Sequence, residues 1–170
     1  MRPTRGRQHL PTNLDRCSSL WYSIIMKPEV NRVKLYLSAL QHIGVDASPL
    51  DQAPDEYGCA DSLSKILLKT FPGVIKGSLS TTQLFEQLSL SKDFVRVTAF
   101  KFGDVIISPT GYAKKPGKVT VGHVGIVGED QVVMSNNSLN GLWDTHHTIS
   151  SWVKRYREGG NFPIYFFRKI

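Results

Sequence analysis

Residues 121–135 read VGHVGIVGEDQVVMS, two β-branched runs separated by a short acidic turn. Alternation along the first run places His123 on one face with Val121 and Gly125 and puts Val124 and Ile126 on the other. Gly125 and Gly128 fit a hairpin in which Glu129-Asp130 makes the turn, so residues 131–135 return antiparallel beside the histidine. Working outward, further β-branched and aromatic runs occur at 94–100, 105–108 and 119–127, with a closing strand expected at 164–168. A short basic helix is expected at 150–158, ended by Gly159-Gly160.

The half of the chain before this sheet has a helical period. From 28 to 43, Val30, Val33, Leu37 and Leu40 recur at three- and four-residue spacing, with Pro28 in a first-turn position and Gly44 as a stop. Residues 59–69 carry Leu63, Ile66 and Leu67 on one helical face, and Cys59 opens that helix. Ser80 followed by Gln83 is a capping signal for a third short helix through Leu88. Helices first and an antiparallel sheet after them is an α+β order.

The chain of 170 residues has room for one domain of ordinary size. At 41% hydrophobic and 21% charged it can fill a core without staples, and its two cysteines, Cys17 and Cys59, form neither a disulfide framework nor a zinc knuckle. The net charge is +7. The first 27 residues hold five basic groups against Asp15 alone, so +4 of that excess belongs to a leader and the rest of the chain is mildly basic. This distribution argues against nucleic acid as a partner. Residues 1–26 are therefore set apart as a basic leader, either a flexible arm or sequence upstream of a natural start at Met26, and 27–170 as the single working domain. The apolar run at 20–26 is too short to span a bilayer and lacks a small-residue cleavage site, so neither a membrane span nor Sec export is expected.

Three residues can carry chemistry together. A cysteine in the first turn of a helix feels the positive end of the helix dipole, which favours the nucleophilic thiolate, and free backbone N–H groups there can hold an oxyanion. His123 is flanked by glycines, which mark close approach of another group, a substrate backbone for example. Asn136, at the end of the returning strand, can orient the imidazole through its side-chain carbonyl, with Asn137 as the neighbouring alternative. A nucleophile, a base and an orienter in the order Cys59, His123, Asn136 is the requirement of thiol catalysis. His146-His147 is a weak metal signal, because adjacent residues of an extended strand point opposite ways; neither a metal nor a cofactor is expected. Trp143 and Trp152 read as hydrophobic anchors, and Asp104 as a structural hydrogen-bonding residue.

Cys59 at a helix start, Gly103-Asp104-Val105-Ile106-Ile107, then Gly122-His123-Val124-Gly125-Ile126-Val127 and a polar residue on the next strand resemble the NlpC-type and CHAP-type cysteine peptidases and amidases. The resemblance covers about half the chain, roughly residues 57–138. It implies a papain-like fold and a cell-wall hydrolase of bacteria or phages that cleaves an amide of a peptidoglycan stem peptide or cross-bridge. In it, Cys59 is the nucleophile, His123 the general base and acid, and Asn136 the orienting residue. Tyr57 and Gly58 fall beside the oxyanion site, and Tyr112, in the polar segment 109–118, is a candidate for the substrate groove. Acyl transfer by the same residues and a non-catalytic wall-binding part of a phage tail or other envelope-penetrating assembly are the competing functions. A monomer is expected, made in the cytoplasm and brought to the wall by lysis, a virion or a secretion machine.

Overall fold

A computed structural model describes residues 13–46, 58–113 and 117–170, with side chains from residue 26 onward. Three helices come first: α1 (Asn13–Leu40), α2 (Gly58–Thr70) and α3 (Thr81–Leu90). Strands β1 (Phe94–Val97), β2 (Val105–Ser108), β3 (His123–Val127), β4 (Val132–Asn136) and β5 (Trp143–Thr148) follow. After them come a helical turn α4 (Ile149–Trp152), continued as a π-helix over Val153–Glu158, and the last strand β6 (Tyr165–Lys169). The strands form one antiparallel sheet in the order β1-β6-β2-β3-β4-β5. The α+β expectation holds.

Each face of the sheet has its own core. Val105 and Ile107 of β2, Val124 and Ile126 of β3, and Met134 of β4 pack with Leu63, Ile66 and Leu67 of α2 and with Leu84 and Leu88 of α3. The alternate residues Ile106, Val127 and Val133 pack on the other face with Trp152, Tyr156 and Phe162. Ser80 caps α3, its side chain accepting from the Gln83 N–H, as its sequence position suggests. Trp143 and Trp152 are fully buried anchors, one in each core.

The first helix departs from expectation twice. It starts at Asn13, well before Pro28, and runs through that proline. Val30, Val33, Leu37 and Leu40 are also not its inner face: they are exposed, while Arg32, Leu35 and Ala39 are buried. The reason is a polar anchor that apolar periodicity does not register. Arg32 donates to the Phe102 carbonyl at 2.8 Å and pairs with Glu29, while Tyr36 packs edge-on against Phe102 at 5.4 Å, and this fixes the rotation of the helix. Asp104, completely buried, accepts from the Lys101 backbone N–H and from two nitrogens of Arg168 at 2.9 and 2.7 Å, joining the loop before β2 to the final strand.

Strand β3 begins at His123 rather than at Val119. A Cβ at Gly122 would collide with the Ser108 carbonyl oxygen, and one at Gly125 would stand 2.6 Å from the Met134 carbonyl oxygen. The glycines around His123 therefore admit the protein's own neighbouring strands, and a substrate backbone is not needed to explain them.

Candidate active site

Cys59 is the second residue of α2 and is 5% exposed, with Gly58 buried before it. Its sulfur receives backbone N–H groups from Ala60 and Val124. The Val124 nitrogen belongs to the peptide that follows His123, so the thiol rests against the start of β3. The expectation of a dipole-stabilised thiolate does not hold in this resting arrangement: burial pushes the thiol up from 9.0 to about 11, outweighing the backbone hydrogen bonds that act to lower it.

His123, 7% exposed, opens β3 and sends its ring to the α4 side of the sheet. There it stacks on Tyr156, with centroids 5.7 Å apart and planes 18° from parallel, and lies 5.2 Å from Trp152. Burial, with the nearby His147, His146 and Arg155 adding to it, holds the imidazole well below its ordinary 6.5, while a hydrogen bond to the Asn136 backbone carbonyl works the other way. The ring is therefore neutral at physiological pH. Its Nε2 is buried without a hydrogen-bond partner.

Asn136 closes β4, almost wholly buried, and meets the histidine by a different atom from the one expected. Its backbone carbonyl accepts from the ring, whereas its side-chain Oδ1 accepts from Ser62 Oγ at 3.2 Å, one turn along α2 from Cys59. Strand alternation causes this, since Asn136 shares the α2 face with Met134. Asn137 is committed to the turn after β4: its Oδ1 accepts from the Leu139 N–H, and its Nδ2 donates to Asp144 at 3.0 Å.

Tyr57 lies outside the described residues. Tyr112 sits in a short turn, Thr110–Tyr112, with its ring against Phe85 of α3 at 4.9 Å. Thr110 and Gly111 of that turn are tied to Thr81 and Thr82 at the start of α3. The cleft of about 160 Å³ that opens beside His123 is lined instead by Asn137, Ser138, Leu139, His146, His147, Arg155 and Tyr156.

Tyr156 is a site residue that spacing alone did not reveal. It stacks on His123, and burial raises its hydroxyl to about 12; Arg155 opposes the rise, and the ionisation of Cys59 reinforces it. This one residue thus touches the imidazole and senses the thiol. The histidine pair overturns the reading of residues that point apart. One ring nitrogen from each of His123, His146 and His147 can be chosen so that all three lie within 4.8 Å of one another. The pairing of β4 with β5 slips between Val133↔His147 and Ser135↔Asp144, inserting one extra residue in β5. Such a bulge breaks alternation, and it brings both rings to the His123 side.

No family model and no curated protein matches the chain. Its fold has a solved counterpart. A chain of the native type VI effector–immunity complex Tae3–Tai3 from Ralstonia pickettii superposes with a TM-score of 0.53 at 16% identity, covering 82% of this chain and 99% of that one. At that identity the likeness is one of fold. Among the described residues, no helix is long and apolar enough to cross a membrane.

Proposed function

We propose that the chain is a thiol hydrolase of the papain-like kind that cleaves an amide bond in peptidoglycan, delivered to the wall by a secretion machine and paired with an inhibitor protein. The observation that carries this reading is the Cys59 sulfur at the head of α2, lying on the peptide N–H next to His123, whose ring is held by the Asn136 carbonyl. The fold shared with a type VI effector–immunity complex supports the delivery route and the inhibitor.

The resting pair is neutral thiol and neutral imidazole, so attack requires a base. His123, at the start of β3, takes the thiol proton as Cys59 Sγ bonds to the substrate carbonyl carbon, and the Ala60 and Cys59 N–H groups at the helix head, which bond the resting sulfur, pass to the developing oxyanion. His123 then gives the proton to the leaving amine as the C–N bond breaks, leaving a thioester. Water, deprotonated by the same imidazole, hydrolyses the thioester and restores the thiol. Asn136 serves as the positioning residue through its main-chain carbonyl, and Gly58 borders the oxyanion position. Tyr112 remains the candidate for gripping the substrate at a distance from the reacting atoms.

The test is digestion of purified cell walls, followed by release of soluble fragments and by mass spectrometry of the new termini. Wild type adds one water per bond broken. Cys59→Ala leaves no turnover, and His123→Ala loses about 10²–10⁴-fold, the range for removal of a general acid–base. Both variants must melt as cooperatively as wild type for the comparison to count. A folded Cys59→Ala protein that still digests walls would overturn the thiol mechanism. Wall binding without fragment release by the wild type would favour the structural alternative.

A further inference from the structure

We infer that His123, His146 and His147 form a binding site for a zinc-class divalent ion, and that the bound ion silences the hydrolytic reaction by occupying the imidazole that serves as its base. The inhibitory half of this statement rests on the proposed thiol mechanism; the binding half stands on geometry alone.

The three rings converge from two elements, His123 at the start of β3 and the other two around the bulge in β5. Their ligand nitrogens lie within 4.8 Å of one another, and a tetrahedral ion with Zn–N bonds of 2.0–2.1 Å needs them about 3.3 Å apart. The remaining closure is a small swing of two rings on a strand edge. His123 contributes a ring nitrogen, Nε2, that is buried and has no partner, the kind of atom a ligand satisfies.

Each ring also has a hydrogen-bonding partner within the protein. The Asn136 carbonyl bonds the His123 ring, Asp144 Oδ1 holds His146 Nδ1, and Ser151 Oγ lies 3.3 Å from His147 Nδ1. Asp144 is itself fixed by Asn137 Nδ2 at 3.0 Å. Carbonyl, carboxylate and hydroxyl partners behind metal-binding imidazoles fix the ring orientation and raise ligand basicity. The cleft in front of the rings, about 160 Å³, leaves room for a fourth ligand such as water. Three imidazoles select zinc, copper, nickel or cobalt over magnesium or calcium, which prefer oxygen.

The experiment uses full-length protein stripped with a chelator. Calorimetric titration with Zn²⁺, and absorption spectra with Co²⁺, should give one ion per chain with the ligand-field bands of a low-coordinate nitrogen site. Cys59→Ala should bind equally well, which separates this site from simple capture of zinc by the thiol. Asp144→Asn should weaken binding about 10–100-fold with all three rings retained. Wall digestion should fall in proportion to zinc occupancy and return with chelator, while digestion by His146→Ala, whatever its own rate, is unchanged by zinc. Absence of binding, or binding lost in Cys59→Ala, overturns the site. A stripped enzyme that is inactive until zinc is added overturns the inhibitory role. The thiol mechanism fails separately if Cys59→Ala keeps its activity.

Discussion

Cys59 shows two opposed effects acting on one sulfur. The head of α2 offers N–H groups and a dipole that favour the anion, yet the sulfur is enclosed and the burial cost is larger, so the thiol rests protonated with its titration near 11. In a Cys17→Ser background, the iodoacetamide alkylation rate of Cys59 should therefore climb about tenfold per pH unit well past pH 9, where an ordinary cysteine levels off. A plateau at or below pH 9 would contradict the buried resting state. Asn136 makes a second residue-scale point. Because its main chain, not its side chain, holds the His123 ring, Asn136→Ala should keep most of the activity, losing less than roughly tenfold against the 10²–10⁴-fold of His123→Ala. A loss as large as that of His123→Ala would restore the side-chain amide as the orienter. Cys59, His123 and Asn136 are the candidates that the sequence offers for thiol chemistry. The atoms by which each meets its neighbours were not legible there, because strand twist and the order of faces decide which side of a peptide is presented.

At the scale of elements, regular periodicity was readable and its interruptions were not. Helix α2 buries Leu63, Ile66 and Leu67 as its spacing indicates, and the hairpin from β3 to β4 turns where the Gly128-Glu129-Asp130 signal lies. Helix α1 turns an apolar stripe outward because a buried arginine, bonded to a carbonyl 70 residues away, outweighs it. The bulge in β5 brings His146 and His147 to one side, although an unbroken strand would separate them. Gly125 is set by contact across strands: a methyl there meets the Met134 carbonyl oxygen and Val133 Cγ1 at 2.6 and 2.8 Å. Gly125→Ala should destabilise by about 1–3 kcal/mol, the cost of overpacking, read as a lower denaturant midpoint with an unchanged m-value. A neutral effect would mean that β4 can move aside freely.

For the whole molecule, titratable groups buried on both sides of neutrality predict a stability plateau. His123 and His147 are depressed in the folded state, His147 to about 4, chiefly by burial. Below their ordinary 6.5 the unfolded chain takes up protons that the folded one refuses, so stability falls as pH drops from 6.5 toward 4. Cys59 and Tyr156 are raised to about 11 and about 12, again chiefly by burial. Above their ordinary 9.0 and 10.0 the unfolded chain releases protons that the folded one keeps, and stability falls there too. Thermal melts in chelator should be flat between about pH 6.5 and 9 and decline on both sides; a melting temperature that rises into acid would refute the burial of the imidazoles. The sequence by itself determined the α+β order, the positions of most elements and the three residues proposed for thiol chemistry, since periodicity, caps and turns are local properties. Only the tertiary structure decided that the thiol is enclosed, that Tyr156 stacks on the imidazole, and that three histidines share one cleft. Those facts depend on which faces pack and where a strand slips by one residue, and contacts between distant segments settle both.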